Sequence, residues 1–123
     1  MAKDTVTISE LASRVFQARD CAHRRHWQTR SYSEHKALNA FYDDVVEAID
    51  AVIENFQGMF GNIDDFEVQT ESVKDMTAYL TDEMDFIESN RNILSQGSDS
   101  IGALIDNLVS VYSRTVFMLG LSK

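Results

Sequence analysis

The stretch GMFGNIDDFEVQT, Gly58 to Thr70, decides the topology, because it joins two helical segments and its path fixes how they are arranged. Extended, its 13 residues would reach roughly 40 Å at about 3.3 Å per residue. The helix before it, read as residues 32–57, would be about 39 Å long at about 1.5 Å per residue. One path therefore lets the link cross the whole molecule and start the next helix at the far end, giving two helical hairpins joined by a long crossover. A compact loop at the same place would instead give a simple up-down-up-down arrangement.

Four helices are expected around this link, in one domain over residues 1–123. The first, about 8–28, opens on the capping box Thr7-Ile8-Ser9-Glu10, where a hydroxyl caps the first turn and an acid follows three residues later. Leu11, Val15, Ala18 and Ala22 recur on one face, and His26 continues it. The second, about 32–57, opens on a second box, Ser31 to Glu34, and carries Leu38, Phe41, Val45, Ile49 and Val52 inward. Gly58 is its natural stop. The third, about 72–95, presents Met76, Leu80, Met84, Ile87 and Leu94. The fourth, about 99–120, presents Ile101, Ile105, Leu108, Tyr112 and Leu119. The links before and after the long one are short, which makes antiparallel neighbours.

Composition agrees with an all-α, four-helix bundle. The chain has no proline and only five glycines, too few for the many turns of a β-sandwich or barrel. At 44% hydrophobic residues it can bury a core. The net charge of −9 repels phosphate and anionic lipid, so nucleic acid and membrane surfaces are poor partners, while cations are attracted. A single cysteine, Cys21, excludes an internal disulfide and fits a cytoplasmic setting. The start, MAKDTVTISE, lacks the apolar region of a signal peptide. VFMLGL is too short to span a bilayer.

Chemistry concentrates in HRRHWQTRSYSEHKAL, residues 23–38, which holds all three histidines and the only tryptophan. His26 ends the core stripe of the first helix and His35 begins the second, so the two rings should face each other across a tight turn. With His35 at zero, a step of about 100° per residue puts Asn39, Asp50, Asp43, Glu54 and Glu47 at about 40° to 120°. Asp50 and Glu54 lie one turn apart and can point at one ion. Imidazole with carboxylate oxygen suits iron, manganese or zinc. His26, His35, Asp50 and Glu54 are the expected metal ligands. His23 is expected beside the site or on the surface, and Trp27 in the core. The opposing view is that acidic stripes are solvated faces and a histidine on an apolar face is a core residue. The third and fourth helices have no histidine, so the Glu-x-x-His pattern of a di-iron bundle is absent. Nothing supplies a phosphate loop, a CxxC pair or a nucleophile elbow.

The series His26-Trp27, His35, Asp50, Glu54 resembles the ferroxidase signature of the Dps-type mini-ferritins. The resemblance covers roughly residues 10 to 60. It implies a ferritin-like fold with an iron site shared between subunits, the histidines coming from one chain and the acids from its two-fold mate. It also implies at least a homo-oligomeric dimer. The sequence departs from that family in several places. Its step from His26 to His35 is shorter, Asn39 stands where an acid commonly helps hold the second iron, and the helix within the long connector and the basic N-terminal tail are missing. The wording HWQTRSYSEHKALNAFYDD also resembles a group of small phage-encoded proteins. Two functions follow. One is a metal-binding, ferritin-like protein with an intersubunit ferroxidase or iron-binding site. The other is a non-catalytic helical interaction or structural protein, a phage accessory in the host cytoplasm.

Overall fold

Thr7 begins the regular structure by accepting a hydrogen bond from the Glu10 amide, and the chain runs as helix α1, Ile8–Gln28. The computed structural model describes residues 6–121. The MAKDT start and the last two residues of the expected 1–123 domain lie outside the described residues. After a three-residue link, Ser31 caps α2, Tyr32–Phe60, through the Glu34 amide. Gly58 does not stop it. The helix ends at Gly61, whose φ of +101° glycine adopts without steric cost.

The expected third helix is corrected in two ways. It begins at Met76, capped by Asp75, and it divides at Asn90 into α3, Met76–Ser89, and α4, Arg91–Ser95. The Asn90 amide bonds to both Phe86 and Ile87 carbonyls, and its side-chain amide also takes the Phe86 carbonyl. That tightening ends the α-helical ladder. Ser98 then caps α5, Asp99–Gly120. The described chain is thus all-helical with five helices, rather than the expected four.

α1 packs on α2 and α3, and α5 packs on α2, α3 and α4. One apolar cluster draws on every helix and centres on Leu11, Phe41, Leu80, Ile105 and Tyr112. Arg14 ties α1 to α3, donating to both oxygens of Glu83 at 3.0 and 2.9 Å while its guanidinium lies 3.6 Å from the centre of the Phe86 ring. The long link, residues 61–75, follows α1 in its own direction. Ser9 donates to the Asp64 carbonyl, Ser13 to that of Glu67 and the Cys21 thiol to that of Glu71. It delivers the chain to the end bearing the α1–α2 turn, where Asp75 and Met76 share a cleft with Ser31, Glu34 and Leu119. No helix among the described residues is long and apolar enough to cross a membrane.

Candidate functional site at the first hairpin

His26 and His35 close the α1–α2 hairpin on each other. The His26 Nδ1 donates to the His35 carbonyl at 2.8 Å, and the His35 Nδ1 donates to the His26 carbonyl at 2.7 Å. A carbonyl only accepts, so each Nδ1 carries a proton, and in a neutral ring Nε2 is then the nitrogen with the lone pair. The rings stack with centroids 3.7 Å apart and planes 15° from parallel. His26 is 6% exposed and belongs to the α1 core stripe. Below the rings, Glu34 accepts from Arg25 at 3.3 and 3.4 Å and from the Thr29 hydroxyl, while Thr29 Oγ1 accepts from the Ser31 amide. Glu34 therefore binds the turn rather than folding back on its own cap.

The ring array continues outward. His23 stacks on Tyr42 at 3.9 Å, with Trp27 4.4 Å from His23. Tyr42 donates to Asn39 Oδ1, and Asn39 in turn donates to Asp43. Trp27 corrects its expected place in the core, since it is 69% exposed. It lies one residue beyond His26, a step of about 100° that carries it off the buried stripe.

The structure joins His26 to His35 and leaves Asp50 and Glu54 apart from them. Both acids are exposed on α2. They stand 15 and 19 residues beyond His35, about 22 and 28 Å along one helix axis. Among the described residues no group of three or more His, Cys, Asp or Glu is placed to hold a metal ion. The ring stack adds a second obstacle. An ion about 2 Å from an imidazole nitrogen lies near that ring's plane. Planes tilted by 15° and 3.7 Å apart meet only far outside that reach. Iron, zinc or manganese held jointly by all four side chains does not fit within one subunit.

Sequence reasoning missed the two hydroxyls and the thiol that hold the long link. Ser9, Ser13 and Cys21 fall on one α1 stripe at multiples of four residues, a spacing that was the available signal.

The fold and this hairpin define an all-helical chain in which two facing histidines brace a turn. The model of a family of unknown function, DUF5856, matches residues 26–119, and the chain belongs to that family. It is also similar to an uncharacterized 14.6 kDa protein in the mobD-ri intergenic region of Enterobacteria phage T4. The two are 24% identical over 103 residues, 80% of this chain and 77% of that protein. No solved structure matches. These findings overturn the mini-ferritin assignment, since neither a ferritin-like nor a Dps family is found. The His-Trp, His, Asp, Glu spacing that carried the likeness is, on the histidine side, the spacing of a braced hairpin.

Proposed function

We propose that the protein is a non-catalytic helical module, an accessory protein of a phage, that acts by binding another macromolecule in the host cytoplasm. In this reading α3 and α4 serve as one rod of a four-helix bundle built from two hairpins and a long crossover. The observation that carries the reading is the mutual engagement of His26 and His35: the side chains best suited to chemistry hold the fold instead. Binding is favoured by the end of the molecule that carries the α1–α2 turn and the last turn of α5. There Trp27, Tyr32, Phe117 and Leu121 are between 66% and 74% exposed, a concentration of large apolar side chains that suits association. A homodimer through this end is the simplest form of it. The net charge of −9 opposes a nucleic-acid partner.

The competing reading is a metal site between subunits, with His26 and His35 from one and Asp50 and Glu54 from the other. It draws support from the tautomer, because Nδ1–H bonded to a carbonyl is the usual setting of a histidine that ligates through Nε2. It also requires the ring stack to open. Elemental analysis of purified protein, with melting curves in added Fe(II), Zn(II) and Mn(II), decides between them. The interaction module emerges free of stoichiometric metal and melts at an unchanged temperature. Stoichiometric metal, with a stabilisation near the ~2.7 kcal/mol expected at a hundredfold excess over Kd, would establish the metal reading.

A further inference from the structure

We propose that residues 61–75 form a strap that lifts from α1 as a unit while the helices stay folded, and that this opening gates the Cys21 thiol. The strap contains no helix or strand, and none of its residues is buried. Among the described residues, no backbone–backbone hydrogen bond joins residues 62–74 to a helix. Its hold on α1 comes from α1 side chains reaching strap carbonyls: Ser9 to Asp64 at 2.8 Å, Ser13 to Glu67 at 2.5 Å and Cys21 to Glu71 at 3.5 Å. Phe66 adds an edge-on contact to Phe16 at 6.2 Å, Ile63 and Val73 pack partly buried against the core, and the Ile63 amide donates to Gln57 Oε1 of α2 at 3.1 Å. Every buried residue of the apolar core, by contrast, belongs to a helix, and the helices also hold their own ladders. Local opening draws on segments with few buried contacts and solvated backbone, and the strap is the longest such segment described.

Cys21 lies under it. The side chain is 0% exposed, with the Glu71 carbonyl of the strap on one side and the Tyr79 phenol of α3 on the other. Burial pushes the thiol pKa up, so the closed form is protected both by cover and by protonation, since the thiolate is the nucleophile. Lifting the strap removes the Glu71 side of that cover and lets water reach the thiol, while Tyr79 and the core neighbours of Cys21 stay in place.

The single cysteine gives a direct readout with the aromatic disulfide DTNB. The Cys21 thiolate attacks one sulfur of the reagent, a mixed disulfide forms on the protein, and one thionitrobenzoate leaves per chain. In the full-length protein, labelling should be slow and nearly independent of low urea, because strap opening exposes little surface. Replacing both Ser9 and Ser13 with Ala removes two bonds, each worth about a fivefold shift in opening. Labelling should then accelerate roughly twentyfold with an unchanged helical spectrum. Phe66→Ala provides an independent test and should also accelerate it. Arg114→Ala, whose side chain donates to Asp44 on α2, should leave the rate alone. A wild-type rate that follows urea as steeply as global unfolding does, or an unchanged rate in either strap variant, would overturn the proposal.

Discussion

Replacing His26 and His35 with Ala, singly and together, separates the parts of the hairpin brace. Each Nδ1 donates to a backbone carbonyl of the other position, and that carbonyl survives the partner's substitution. His35→Ala therefore loses its own hydrogen bond, worth about 1 kcal/mol, and the ring stack, worth about 1 kcal/mol. His26→Ala loses the same two contributions and adds a cavity cost because its ring is buried. In the double variant both hydrogen bonds go but the stack is lost only once. The two single losses therefore exceed the double loss by about 1 kcal/mol, which is the coupling energy of the stack. Urea unfolding followed by circular dichroism measures all three, and the His35→Ala loss of about 2 kcal/mol corresponds to a Tm drop of roughly 6–10 °C in a domain of this size. Losses that add to within ~0.3 kcal/mol would refute the stack as an interaction. An unchanged Tm in metal-free His35→Ala would refute the brace itself.

A Cβ at Gly102 would lie 2.7 Å from Arg91 Nη2, so Gly102→Ala should push the guanidinium off Asp106, to which it donates at 2.6 and 2.9 Å. The hydrogen bond from Arg91 holds the Asp106 carboxyl below its ordinary value. NMR titration should therefore find Asp106 titrating at higher pH in the variant, and an unmoved Asp106 would contradict the geometry. Burial raises the folded-state pKa of the Tyr112 phenol, so its contribution is whole below the unfolded value near 10 and falls as pH rises beyond it, by about 1.4 kcal/mol per pH unit. Urea midpoints measured above pH 10 should fall less steeply in Tyr112→Phe than in wild type, and equal slopes would remove Tyr112 from the account.

Helix starts were legible where a local hydroxyl decides them: Thr7 and Ser31 cap through their hydroxyls, although Glu34 does not close its box. Core faces were legible from period alone, down to His26 on the α1 stripe. The third helix was misjudged because its boundaries are tertiary. Glu71 is taken by Cys21 of α1 and Asp75 supplies the cap, so residues 71–75 stay outside the helix although Val73 fits the apolar period. Asn90 signalled a break in principle, but the Met76 to Leu94 stripe runs through it and hid the signal. At the hairpin, the sequence put His26 and His35 together correctly. It could not show that each Nδ1 takes the other's carbonyl, since backbone acceptors carry no residue signature. Asp50 and Glu54 share a face with each other, yet lie several turns from His35, and helical angle alone conceals axial distance.

Nitrogen-15 NMR of the imidazole rings tests the central claim most directly, because it reports the protonation site of His26 and His35 and any ligand on Nε2. The account predicts that both rings are the Nδ1–H tautomer, with slowly exchanging protons, and that both spectra are unchanged by added Zn(II) or Fe(II). A bare Nδ1 with the proton on Nε2 in either ring, or a coordination shift of the Nε2 signals with metal, would contradict it.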